Sequence, residues 1–133
     1  MARILIVDDS PSIRFQLKEM LVKLGQSAGE IFFAEDGRIA MQKFAEVRPE
    51  WVFMDISMPN QDGVTTTESM LQQQPELRVI VLTGLRREDP QSMRLIMQGA
   101  FAFLSKPLEM EDIRRVIKKL EEGEGGSGRI MGG

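Results

Sequence analysis

The sequence predicts an α/β chain of the (βα)5 type, folded as a doubly wound parallel five-stranded sheet with helices on both faces. Three observations point there. Strand-like runs begin near Arg3, Ile31, Trp51, Arg78 and Ala102, at the spacing βαβ units require. Four of these runs are continuously apolar rather than alternating, the pattern of strands buried on both faces. The stretches between them carry apolar residues at helical period, bounded by caps and breakers.

The first strand, Ile4-Leu5-Ile6-Val7, runs into Asp8-Asp9-Ser10-Pro11. Ser10 suits an N-cap because its hydroxyl accepts from a first-turn N–H, and Pro11 suits the first helical position, where no donor is needed. Ile13, Leu17, Met20, Leu21 and Leu24 form one stripe, and Gly25 ends the helix. After the second strand, Asp36-Gly37 opens a helix with Ile39, Ala40, Lys43 and Phe44. The third strand, Trp51-Val52-Phe53-Met54, ends in Asp55, and a turn over 56–63 leads to a helix over 63–74 stopped by Pro75. The fourth, Val79-Ile80-Val81-Leu82, ends in Thr83-Gly84, and a helix over 90–98 is closed by Gly99. The fifth, Ala102-Phe103-Leu104, ends in Ser105-Lys106-Pro107 before a helix over 109–120 with Met110, Ile113, Val116, Ile117 and Leu120 on one side. Residues 1–122 are expected to form the domain, and the glycine-rich residues 123–133 a flexible tail or linker.

A chain of 133 residues is long enough for one core and too short for two. With 42% hydrophobic and 28% charged residues it reads as an ordinary globular protein. A net charge of −3 gives no basic face, so nucleic-acid binding by this domain is not expected. No apolar stretch is long enough for a membrane span. The N-terminus leads straight into a strand-like run, so no signal peptide is expected. The absence of cysteine removes disulfide and thiolate chemistry and fits a cytoplasmic location. The absence of histidine removes phosphohistidine, the Ser-His-Asp triad and imidazole metal sites. Any metal is therefore held by oxygen.

The polar groups that end the strands carry the chemistry. With right-handed crossovers and the flavodoxin-like strand order 2-1-3-4-5, the first and third strands are neighbours at the switch point, where ligands bind beyond the carboxyl ends. Asp8 and Asp9 then converge with Asp55. Alone, Asp8 and Asp9 read as acids near a helix N-terminus, but a third acid at the adjoining strand end serves no such cap. Three clustered carboxylates repel unless a cation sits among them, and a partly hydrated carboxylate site suits Mg2+. Thr83 adds a hydroxyl, Gly84 leaves room beside it, and Lys106 adds a cation at the same edge. A carboxylate nucleophile, a metal site, a hydroxyl and an ammonium are the set that phosphoryl transfer uses.

Val7-Asp8-Asp9-Ser10, Met54-Asp55 followed by Met58-Pro59 and Asp62-Gly63, then Thr83-Gly84 and Lys106-Pro107 make the chain resemble a receiver domain of bacterial two-component response regulators, of the single-domain chemotaxis-regulator type. Each motif is weak by itself, whereas all four in order at strand ends are specific. The resemblance covers residues 3–120. It implies Asp55 as phosphoacceptor from a phosphohistidine on a sensor histidine kinase or histidine phosphotransfer protein. It implies Mg2+ held directly by Asp9, Asp55 and the Ser57 carbonyl, with Asp8 acting through water. Thr83 and Lys106 would grip the phosphoryl oxygens, the Lys106-Pro107 bond would be cis, and Phe103 would be the aromatic switch residue paired with Thr83. Ser57 and Leu85 stand beside the acceptor, where they bear on phosphoryl lifetime.

The expected function is a phosphorylation-activated switch that is not an enzyme beyond assisting its own phosphorylation and dephosphorylation. Its output is expected through protein contacts on the face of the fourth helix, fifth strand and fifth helix, as a monomer or a phosphorylation-dependent dimer. Met93, Leu95, Ile96 and Met97 give the fourth helix more apolar residues than one buried stripe needs. Other readings are a receiver cut from a longer regulator, an aspartyl-phosphate phosphatase, and a flavin or dinucleotide module. The phosphatase expects a second acid where Ser57 stands, and no G-x-G-x-x-G follows the first strand.

Overall fold

The computed structural model describes residues 2–59, 62–84 and 89–123. The strands are β1 (Ile4–Val7), β2 (Ile31–Ala34), β3 (Trp51–Asp55), β4 (Arg78–Thr83) and β5 (Ala102–Ser105). The helices are α1 (Pro11–Lys23), α2 (Gly37–Val47), α3 (Asp62–Gln73), α4 (Pro90–Gln98) and α5 (Met110–Glu121), with a 3-10 turn at Ala28–Glu30 before β2. All pairings are parallel and the order is β2-β1-β3-β4-β5. The predicted fold class is the observed one. Leu85 and residues 124–133 of the expected tail lie outside the described residues.

Alternation along each strand divides the core in two. Ile4, Ile6, Phe53, Ile80, Leu82 and Leu104 meet Leu17, Leu21, Ile113 and Val116, so α1 and α5 cover that face. Leu5, Val7, Val52, Met54, Val79, Val81 and Phe103 meet Ala40, Phe44, Val64, Met70 and Leu95, so α2, α3 and α4 cover the other. Both faces being buried explains the continuous apolar runs in the sequence.

The helix ends follow their cap chemistry. Ser10 Oγ accepts from the Ile13 N–H at 3.4 Å, and Asp36 Oδ1 accepts from the Ile39 N–H at 2.9 Å. Gly25 and Gly99 take φ values of 104° and 106°, the left-handed region in which glycine stops a helix without strain. α3 starts one residue earlier than the sequence suggests, because Asp62 joins the helix while its carboxylate takes the Gly37 N–H at 2.5 Å. That bond ties the start of α2 to the start of α3 beside the crevice.

Candidate phosphoacceptor site

Strand order and register bring the predicted groups to one edge. Val7 pairs with Met54, so Asp8 and Asp55 leave neighbouring strands side by side. Both are buried, at 0% and 1% exposure, while Asp9 faces solvent. One oxygen from each of Asp8, Asp9 and Asp55 lies within 4.8 Å of the others. Thr83 ends β4 and is buried, and its carbonyl accepts the Lys106 N–H at 2.9 Å.

Two buried carboxylates share one cation. Lys106 Nζ lies 3.0 Å from Asp8 Oδ2 and 3.3 Å from Asp55 Oδ2. The remaining oxygens brace loops: Asp8 Oδ1 accepts from the Ser10 N–H at 2.9 Å, and Asp55 Oδ1 from the Ser57 N–H at 2.8 Å. Asp8 Oδ2 lies in a fully buried position and has the Lys106 ammonium as its partner. Burial pulls the Lys106 pKa down, but hydrogen bonding and attraction from Asp8 and Asp55 outweigh it, and the ammonium is held above its ordinary range. The Lys106-Pro107 peptide is cis, as the resemblance implies.

The donor set suits a hard divalent cation. It consists of carboxylate oxygens gathered within 4.8 Å, with an exposed carboxylate at the open side where water would reach a bound ion. A cleft of about 400 Å3 opens beside Asp9, between Glu35, Asp36, Met58, Pro59 and Asp62. A wider cleft of about 620 Å3 lies at the opposite sheet edge around Arg3, Arg48 and Glu50, far from these groups. The acidic cluster therefore borders the smaller cleft, through Asp9.

Two contacts at the site are not evident from the sequence. Arg14, one turn into α1, donates to the Asp8 carbonyl at 2.6 Å and lies 5.8 Å from the centre of the Phe33 ring. The Ser57 hydroxyl accepts the Gly84 N–H at 3.3 Å, linking the loops after β3 and β4. Phe103 is 1% exposed and sits in the core on the α4 side, level with Val81 of β4.

The comparisons agree with this geometry. The family model described as "Response regulator receiver domain" matches residues 4–118. Chemotaxis protein CheY of Bacillus subtilis is 36% identical over 119 residues, which are 88% of this chain and 95% of that protein. Response regulator GacA of Pseudomonas aeruginosa is 30% identical over 93% of this chain but only 57% of its own length. The solved structure of a response regulator receiver domain protein from Clostridium thermocellum superposes with a TM-score of 0.81 at 26% identity, covering 92% of this chain and 96% of that one. A receiver model spanning most of the chain, on a matching sheet with acids and lysine at its edge, establishes the family: the chain belongs to the response regulator receiver domains of two-component signalling.

Proposed function

We propose that this chain is a phosphorylation-activated switch in which Asp55 accepts a phosphoryl group from a phosphohistidine on a sensor histidine kinase or histidine phosphotransfer protein. The observation that carries the reading is the pairing of Lys106 with two buried carboxylates, Asp8 and Asp55, at adjoining strand ends. An Asp55 oxygen attacks phosphorus, the P–N bond breaks, and the imidazole leaves with the electron pair. Asp9, Asp55 and the Ser57 carbonyl would hold Mg2+ directly and Asp8 through water. When bound, the metal supplies neutralisation of charge on the transferring oxygens. Lys106 stays protonated and passes from the carboxylates to a phosphoryl oxygen, and the Thr83 hydroxyl donates to another. Catalysis here is positioning and charge, so the domain assists its own phosphorylation and dephosphorylation without being an enzyme in the ordinary sense.

The consequence runs to the face of α4, β5 and α5. Thr83 drawn toward the new dianion frees space that the Phe103 ring can take. On α4, Leu95 is buried, whereas Met93 and Met97 are 49% and 86% exposed. The excess apolar residues of α4 are thus on the surface, and exposed methionine suits an adaptable contact with an effector protein or a second receiver. The chain acts in the cytoplasm, with residues 1–122 as the receiver and 123–133 as tail or linker. A second reading, a receiver within a longer regulator, is favoured by the GacA match, which leaves over two fifths of that relative uncovered. The last residues would then be an interdomain linker.

Incubation with acetyl phosphate and Mg2+, followed by intact mass measurement, tests the reading. The expected result is a gain of one phosphoryl group that Asp55→Asn abolishes, because the amide is a poor nucleophile and loses a ligand charge. Continued stoichiometric labelling of the variant would sink the assignment.

A further inference from the structure

Ser57 makes two hydrogen bonds beside the acceptor, donating through its amide and accepting through its hydroxyl. Its N–H donates to Asp55 Oδ1 at 2.8 Å, and its Oγ accepts the Gly84 N–H at 3.3 Å. Ser57 itself is exposed, so the hydroxyl is not placed there by core packing. The register explains the contact. Asp55 pairs with Leu82, and the Ile56 N–H continues the ladder to the Leu82 carbonyl at 3.0 Å. Ser57 and Gly84 therefore face each other just beyond the paired ends. Among the described residues, a methyl group built on Gly84 would meet nothing within 4 Å.

We infer that the Ser57 hydroxyl is a resting-state stand-in for a phosphoryl oxygen, occupying the Gly84 amide until the acceptor is charged. The inference rests on the proposed chemistry at Asp55 and adds a positioning residue to it. A dianion formed on Asp55 brings oxygens to the edge where the Gly84 N–H points, and a charged oxygen accepts more strongly than a neutral hydroxyl. The amide must then release Ser57 before it can bind the phosphoryl group. That exchange opposes phosphorylation slightly and frees the Ser57 side chain once it has occurred. At 3.3 Å the bond is long and partly solvated, so its loss is worth only the lower part of the usual range for one hydrogen bond. Because Ser57 would serve a metal through its backbone carbonyl, changing its side chain leaves the ligand atoms in place.

The test compares wild type, Ser57→Ala and Ser57→Thr, using beryllofluoride with Mg2+ as the phosphoryl mimic and reading the Gly84 amide by NMR. Before the mimic is added, Gly84 exchange should be protected in wild type and Ser57→Thr and unprotected in Ser57→Ala. After saturation all three should show the same protection. The mimic should bind Ser57→Ala roughly two- to fivefold more tightly than wild type, with Ser57→Thr unchanged. Uptake by wild type with equal or weaker affinity in Ser57→Ala overturns the stand-in role alone. Failure of wild type to take up the mimic overturns the chemistry at Asp55 and this inference together.

Discussion

Replacing Lys106 by methionine removes the cation that both buried carboxylates touch while keeping most of the stem's volume. Asp8 and Asp55 are then left adjacent, without their shared cation and nearly inaccessible to water. Removing one partner of a buried pair costs about 3–5 kcal/mol. The Lys106 side chain is 22% exposed, which screens the interaction and selects the lower end, ~3 kcal/mol. For a chain of 133 residues that corresponds to a fall in Tm of about 10 °C. Magnesium should recover part of it, because a metal that neutralises the two carboxylates stabilises the variant more than the wild type. If half of the lost pairing free energy had opposed the metal, Mg2+ binds the variant about tenfold more tightly.

The lysine pKa fixes the pH window for this effect. It is raised above the ordinary 10.5, so its contribution to stability is fully present below that pH and lost only as pH rises through the folded-state value. Urea unfolding of both proteins in EDTA and in Mg2+, at pH 7 and pH 9, is the assay. The deficit should be equal at the two pH values and should shrink by about 1.4 kcal/mol with saturating metal. A variant as stable as wild type in EDTA, or one that gains no more from Mg2+, would refute the view of Lys106 as the resting counter-ion.

Asp9→Ala should weaken Mg2+ binding yet raise metal-free stability by about 0.5 kcal/mol, because an exposed member of a repelling cluster is removed. A lower melting temperature in EDTA would show instead that Asp9 serves the fold. Gly63→Ala should destabilise by roughly 1–2 kcal/mol despite alanine's better helix propensity. The added methyl group collides with the Asp55 carbonyl oxygen and stands 3.0 Å from the Ile56 Cα, backbone that cannot yield. Unchanged stability and unchanged acetyl phosphate labelling would contradict that close approach. Trp51, the single tryptophan, starts β3 while Asp55 ends it, roughly 13 Å away at strand rise. Its fluorescence should therefore change little on addition of beryllofluoride, and strong quenching would imply a rearrangement of the whole strand.

The sequence shows the sheet and most of the site for one physical reason. In a doubly wound sheet the carboxyl ends of all strands share an edge, so residues following apolar runs become neighbours once the order is known. Asp8, Asp9, Asp55, Thr83 and Lys106 are all of this kind. Caps were readable too, because Ser10 and Asp36 act within three residues of themselves. What stayed hidden depends on distances between separate segments. Nothing local marks Arg14 as a donor to the Asp8 carbonyl, or Gly63 as the point where α3 meets β3. The Asp62 contact with Gly37 likewise spans 25 residues, and it moves the start of α3 by one.

On the proposed function, the geometry at Lys106 links charge to shape. Its ammonium contacts Asp8 and Asp55 while its backbone N–H is bonded to the Thr83 carbonyl, so one residue joins the carboxylates to the end of β4. Phosphorylation turns Asp55 from a monoanion into a site of greater charge extending farther from the strand. The ammonium follows that charge away from Asp8, and Asp8 then needs the metal as its counter-charge. Thr83 is bound to the same strand end and shifts with it. Phe103, three residues before the lysine and packed level with Val81, stands where such a shift changes the core beneath α4. Because α4 buries Leu95 yet exposes Met93 and Met97, a small displacement of its inner side alters how its outer side is presented. A change of charge at one strand end can thus reach a binding surface through packed side chains, with no hinge between domains.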